Sequence, residues 1–355
     1  MKKIFLFLIL LSSCRTMKIL KYEREDLLSK NIEFEKQVVV KSVEIEVKKS
    51  ESLNLNAPQT VQTPSNQVKK EAQLAKVKEK ILEKVKVKKN KPKLAPVQDV
   101  QLRRQPDIED DEGFNFLRRP PSDPFRVGEK VVHSVSYFGT EAGRLTLQTM
   151  PYLDVNNKKS YHFQIGLSTS SLYSKVYSVD DTVDTFMDFE SLVPHVFKLS
   201  LRETGKLQHS QGYFNHDTLK ANYWEKKYTE KNGQEDTKKT WDLLPFSQNA
   251  FSGIFYMRIF DWKIGKSYSF RVSDDEKNVI FKGTAIAKEK LSTDAGNFNA
   301  IKIKADIVSR GALSSAGNIY FWVSDDDRKL ILKIEAEIKI GRLVSEIVEI
   351  EKGTH

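Results

Sequence analysis

The chain is expected to fold as an all-β protein with one buried helix. The expected shape is a long curved antiparallel sheet, an open half-barrel, wrapped around a central helix and preceded by a disordered stalk. Three observations predict it. From Pro124 to the end, apolar and polar residues alternate with period two, the pattern of strands with one dry and one wet face. Turn-forming clusters punctuate the runs: Asn232-Gly233 most strongly, then Asn156-Asn157, Asp294-Ala295-Gly296 and Asp325-Asp326-Asp327. A single segment, Ser247 to Trp262, breaks the rhythm with apolar residues at helical spacing.

Taken in order, the chain opens with Lys2 and Lys3 before an apolar run, Ile4 to Leu11. That run is too short to cross a hydrocarbon core, which needs ~20 residues, and matches the centre of a secretory signal. Leu11-Ser12-Ser13-Cys14 follows and reads as a lipobox, with the one cysteine of the sequence placed where a bacterial lipoprotein is cut and lipidated. Residues 1–13 are therefore expected to be a lipoprotein signal peptide. Cys14 is expected to carry several acyl chains, palmitate among them, which meets the need for two anchoring signals. Lipidation leaves no thiol for a disulfide or a cysteine metal site. Residue 15 is Arg rather than Asp, so the expected address is the outer membrane, facing the periplasm.

Residues 14–121 read as the lipid-anchored, basic, largely disordered stalk. Residues 1–121 hold 26 of the 58 basic and 17 of the 48 acidic residues, so +9 of the net +10 lies there. A nucleic-acid-binding domain would carry the basic face itself, so nucleic acid is not an expected partner. Val38 to Val47 alternates weakly, a pattern open to strand pairing or to disorder. Leu53 to Gln67 is a polar, proline-bearing linker. In the Lys/Glu segment Gln67 to Lys89, Leu74, Val77, Ile81, Leu82 and Val85 recur at helical spacing for barely two heptads, short of a coiled coil. Lys86 to Arg104 is basic, proline-punctuated and too poor in apolar residues to fold alone. Its lysines suit either attraction to peptidoglycan or another anionic envelope surface, or plain solvation. The whole stalk is expected to be dispensable for folding.

Residues 122–355 are the expected β-rich domain. Tyr161, Phe163, Ile165 and Leu167 alternate with His162, Gln164, Gly166 and Ser168. Phe197, Leu199 and Leu201 alternate with Lys198, Ser200 and Arg202, and Ile301, Ile303, Ala305 and Ile307 with Lys302, Lys304 and Asp306. Leu330 to Ile340 repeats the pattern, and about a dozen strands result. In the helical segment, Ser247 is the expected N-cap. Ala250, Phe251, Ile254, Phe255 and Arg258 recur along one stripe, and Phe246, Tyr256, Met257 and Phe260 widen it until the helix is apolar almost all round. Such a helix is buried.

Several stretches of Pro124 to Ile350 resemble the domain-of-unknown-function 3108 family (DUF3108) of Gram-negative secreted and envelope proteins. They are Phe125-Arg126-Val127-Gly128-Glu129-Lys130, Tyr137-Phe138-Gly139 with Ala142-Gly143, and Tyr177-Ser178-Val179-Asp180-Asp181 with Asp184. Phe251-Ser252-Gly253, Tyr256-Met257-Arg258, Ile264-Gly265-Lys266, Gly296-Asn297-Phe298 and Phe321-Trp322-Val323-Ser324-Asp325-Asp326 complete the set. The chain departs from the family where Lys329-Leu330-Ile331 stands in place of an expected proline. The resemblance implies an all-β envelope domain with no established activity, similar in general shape to the open half-barrels that carry lipoproteins between membranes.

Candidate chemistry is sparse. The six histidines, 133, 162, 195, 209, 216 and 355, form no recognised ligand motif. His133 and His195 read as core histidines; His209 with His216 or Asp217 is a weak metal candidate. Asp180, Asp184 and Asp188 share one face of a strand at intervals of ~13 Å, too far for two carboxylates to work on one bond, and read as a solvated strand edge. Asp325-Asp326-Asp327 reads as a turn. No cofactor or metal is expected. The expected function is a non-catalytic binding or scaffolding domain, holding an apolar ligand, an acyl chain or a protein partner in the concavity of the sheet. Phe251, Phe255, Tyr256 and Phe260 are the expected ligand contacts. The alternative is an envelope hydrolase acting on cell-wall glycan or peptide through Asp180 to Asp188.

Overall fold

The computed structural model describes residues 31–43, 120, 122–309, 312–313, 318–337 and 341–354. Cys14, the signal peptide and the Lys/Glu segment lie outside these residues. α1 (Ile32–Gln37) and β1 (Val40–Ser42) come first. Successive hairpins then run through β2 (Val127–Tyr137), β3 (Thr140–Val155), β4 (Lys158–Thr169), β5 (Asp180–Asp188), β6 (Pro194–Glu203), β7 (Lys206–Asn215), β8 (Lys220–Thr229) and β9 (Gly233–Asp242). α2 (Ser252–Tyr256) continues into a 3-10 turn, Met257–Ile259. The chain ends with β10 (Ser267–Asp274), β11 (Lys277–Thr293), β12 (Gly296–Ser309), β13 (Ala312–Leu313), β14 (Ile319–Ser324), β15 (Ile331–Glu337) and β16 (Arg342–Thr354).

The described strands form one antiparallel sheet in the order β10-β11-β12-β14-β15-β16-β2-β3-β4-β5-β6-β7-β8-β9, with β1 on β3 and β13 on β12. The last strand pairs with the second, Leu343 opposite Tyr137, so the two edges β9 and β10 are neighbours in sequence. The chain joining them, 243–266, turns inward and carries α2. No ladder joins β9 to β10 among the described residues; side chains draw the edges together. Trp241 Nε1 donates to Ser273 Oγ (2.8 Å), and Lys239 reaches Asp275 (2.7 Å) and Glu276 (2.8 Å). Gln248 covers part of the β10 edge by donating to Arg271 O and accepting from Ser273 N, both at 2.8 Å. An open antiparallel sheet around a central helix is the predicted architecture. The β3–β4 turn shows the local logic: Asn156 and Asn157 both take positive φ (53° and 64°), the conformation a two-residue hairpin requires and Asn tolerates.

The main core lies between the two halves of the sheet, with the helical segment in its middle. Phe163, Ile165, Val183 and Met187 come from one half, Phe270, Phe281, Ile301, Ile303 and Val323 from the other. Phe255, Tyr256, Phe260 and Trp262 fill the space between them. Gly283 makes room for the plug, since a Cβ there would stand 2.6 Å from the Trp262 ring.

Two expectations are corrected. The helix is five residues long, not sixteen, and Ser247 does not cap it. Ser247, Gln248 and Asn249 are buried and irregular because their polar groups find tertiary partners: Gln248 Nε2 donates to Leu192 O (2.8 Å) and Asn249 Nδ2 to Thr185 Oγ1 (3.2 Å). Asn249 Oδ1 accepts from the N–H groups of Phe251 and Ser252 and starts the helix instead. The second correction concerns the stalk. Residues 31–43 are packed on the domain: Phe34 and Val38 are buried with Val155, Phe186, Val196 and Trp224, and β1 pairs with β3, Val40 opposite Val155. The boundary at 121/122 therefore separates residues that share one folded unit, and the domain is not independent of everything before it.

Candidate functional site

Alternation gives the sheet an inner face, and that face changes character along the strands. At the level of α2 it is filled. Phe255 stacks on Phe163 with centroids 4.2 Å apart, Phe260 on Tyr268 at 4.7 Å, and Tyr256 meets Phe270 edge-on at 5.2 Å. The predicted ligand contacts Phe255, Tyr256 and Phe260 are thus wholly enclosed by the protein, with no surface left for a ligand in this conformation. Phe251 is part-exposed and packs against Phe197 (5.6 Å).

Beyond the plug, toward the ends where β2, β4 and β6 finish and β3, β5 and β7 begin, the inner face is incompletely covered. Leu145, Leu199, Ile307, Ile319, Phe321 and Ile334 pack against the core yet stay only partly buried. At the same level β5 to β8 present polar groups inward. Tyr177 donates its hydroxyl to Glu203 (3.0 Å), and Lys206 stands 3.4 Å from the same carboxylate. Glu225 accepts from Gln208 Nε2 (2.8 Å) and from the Tyr223 hydroxyl. Burial, reinforced by the charge of Glu203, pushes the Asp181 carboxyl up to about 7, even though its Oδ1 accepts from Arg202 N (3.0 Å). Burial also raises the Tyr177 and Tyr223 hydroxyls. The part-exposed surface at this end is apolar, from β3, β12, β14 and β15, while the carboxylates of β5, β6 and β8 on the same face are buried and hydrogen-bonded.

The acidic run does not work as a unit. β5 lies between β4 and β6, inside the sheet, which corrects the edge-strand reading. Asp181 faces inward, while Asp184 and Asp188 face outward, each with its own histidine. His162 Nε2 lies 2.7 Å from Asp184 Oδ1, and Gln164 donates to the same oxygen (3.0 Å). His195 Nε2 lies 3.3 Å from Asp188 Oδ2, while Ser191 donates both N–H (2.6 Å) and Oγ (2.7 Å) to Oδ1. Burial pushes both carboxyls up, but these bonds more than offset it and hold them below the ordinary range. Four strand residues, ~13 Å, separate the pairs, so they cannot share a substrate bond. His133 is fully buried between the backbones of Ser345 and Ile331, and burial pushes its imidazole down to about 4. His216 Nε2 lies 2.9 Å from Pro194 O. Asp326 Oδ1 closes the predicted turn by accepting from Ser324 Oγ (2.6 Å), Arg328 N (3.1 Å) and Lys329 N (3.0 Å). Lys329 there has φ 45°, a conformation closed to proline.

Motif residues distant in sequence meet at a buried clasp. Glu129 receives Arg258 Nη1 (2.6 Å) and Arg328 Nη2, and Arg258 also donates to Pro124 O (2.8 Å) and Arg328 O. The clasp ties the helical plug to the start of β2 and to the β14–β15 turn. It is a holding device, because both Glu129 and Arg258 are enclosed.

Sequence reasoning missed the open end. The available signal was a carboxylate on the apolar parity of a strand: Glu225 follows Ala221 and Tyr223 in alternation, and Glu203 follows Leu199 and Leu201.

A family model described as protein of unknown function (DUF3108) matches residues 132–348. No curated protein matches. Among solved structures, the chain is similar to a β-barrel-like protein of domain of unknown function DUF1849 from Brucella abortus, at 10% identity and TM-score 0.41, covering 64% of this chain and 98% of that one. A candidate lipoprotein from Parabacteroides distasonis aligns at 12% identity and TM-score 0.30, over 65% of this chain and 99% of that one. A candidate exported protein with a YmcC-like fold from Bacteroides fragilis aligns at 9% identity and TM-score 0.29, over 66% and 99%.

Proposed function

The chain belongs to the DUF3108 family, and we propose that it is a lipid-anchored module of the bacterial cell envelope that holds an acyl-bearing ligand, without transforming it, at the open end of its sheet. The observation that supports this reading is the incompletely covered inner face, where Leu145, Phe321 and Ile334 pack against the core yet stay partly exposed. A filled core needs no such surface; an acyl chain would match it. The envelope location rests on the lipobox at Cys14, with the outer membrane, periplasmic side, as the proposed address. The basic segment before the domain suits contact with peptidoglycan or anionic headgroups.

The test is mass spectrometry of lipids that co-purify with the full chain from its native envelope. An acyl-bearing species should accompany the wild-type protein and fall at least tenfold in Phe321→Asp, compared on protein whose circular dichroism shows the sheet still folded. Equal recovery from both proteins, or none from either, sinks the reading. The anchor is tested separately: Cys14→Ser should move the protein out of the membrane fraction, and unchanged sedimentation refutes lipidation.

A further inference from the structure

We infer that residues 31–43 are a docking strap that fixes the lipid anchor directly to the sheet, so that residues 44–119 are a side connection and not the link between membrane and domain. The inference rests on the lipidation reading for its membrane consequence and on geometry alone for the strap itself.

The strap grips the outer face of the sheet at several strands. Phe34 meets Trp224 of β8 edge-on at 5.9 Å and is buried with Val155 of β3, Phe186 of β5 and Val196 of β6. Glu33 accepts from Trp224 Nε1 (3.0 Å) and from Lys238 of β9 (2.5 Å). The Asn156 turn binds the strap on both sides: Val39 N donates to its Oδ1 (2.8 Å), its own N–H donates to Val39 O (2.9 Å), and its Nδ2 donates to Gln37 O (3.0 Å). β2 leaves β3 after Gln148, and β1 takes the vacated edge at Leu153 to Val155. Asn31 starts α1 by accepting from the N–H groups of Glu33 and Phe34.

Chain length then sets the consequence. Sixteen residues lie between Cys14 and Asn31, and their seventeen steps span at most ~60 Å at ~3.3–3.6 Å per residue. A stalk running to residue 121 would allow at most ~385 Å by the same rule. The docked strap therefore holds the end of the sheet at the Asn156 turn within that reach of the bilayer, with the open end at Leu145 ten residues of β3, ~33 Å, beyond it. Both ends of the 44–119 connection lie on the domain.

The experiment inserts a sequence-specific protease site between Asn66 and Gln67 of the full lipidated chain and cuts it in isolated membranes. Two readouts are taken: sedimentation with the membrane, and co-elution of the two fragments in mild detergent. The strap predicts that the cut domain still sediments and that its fragments co-elute. It also predicts that Phe34→Asp with Val38→Asp separates the fragments after cutting, while the uncut variant still sediments. Wild-type fragments that separate on cutting overturn the strap. An intact chain that fails to sediment refutes the lipid anchor instead, and co-elution still decides the strap.

Discussion

Replacing Phe255 with Ala removes the ring at the centre of the plug. That ring is 1% exposed, stacks on Phe163 at 4.2 Å with planes 12° apart, and shares its cluster with Ile165, Val183 and Met187. Truncating a buried Phe costs about 3–5 kcal/mol as transfer loss plus cavity, and the lost aromatic pair adds about 0.5–1.5 kcal/mol of geometry-specific contact within that range. The space cannot readily collapse, because strands on both sides are held in register by their ladders. Against a total of ~5–15 kcal/mol, the loss should lower the midpoint by roughly 6–20 °C, at ~2–4 °C per kcal/mol for a domain of this size. Near-ultraviolet circular dichroism during heating reads the midpoint, and binding of a hydrophobic dye is followed on the same variant. A midpoint within ~2 °C of wild type, with altered dye binding, would show that α2 is a movable lid and refute its role as structural filling.

Glu129→Gln keeps the shape of the buried clasp but leaves Arg258 without its counter-charge. Breaking one partner of a buried pair costs about 3–5 kcal/mol, so the urea midpoint should fall; an unchanged midpoint means the clasp does not hold the plug. Asp181→Asn should change the pH dependence of stability. With its carboxyl pushed up to about 7, folded Asp181 binds more protons than unfolded Asp between pH ~4 and 7, so wild-type stability falls as pH rises through that window. Asn removes the effect and should gain on wild type by on the order of 3 kcal/mol from pH 4 to 8; a gap that stays flat across that range refutes the buried-acid reading.

Local pattern by itself determined the class of fold. A period of two with turn residues at fixed intervals can satisfy its backbone and its apolar faces only as antiparallel sheet, and this needs no knowledge of which strand pairs with which. The aromatic run from Phe246 to Trp262 likewise announced its burial through composition. Tertiary structure decided the rest. The helix shrank to five residues because Gln248 and Asn249 bond to Leu192 and Thr185, partners more than fifty residues away. Residues 31–43 are too few to stabilise a helix or strand alone; they are ordered by Val155, Phe186, Val196 and Trp224, which meet only once β3, β5, β6 and β8 are side by side. The acids of β5 divided between two faces because alternation sends Asp181 inward and Asp184 outward, and only the assembled sheet supplies each with its own neighbours. The open end was invisible for the same reason. An apolar residue on the inner parity is core or ligand surface according to how far the plug reaches, and α2 covers Phe163 but stops short of Phe321 and Ile334.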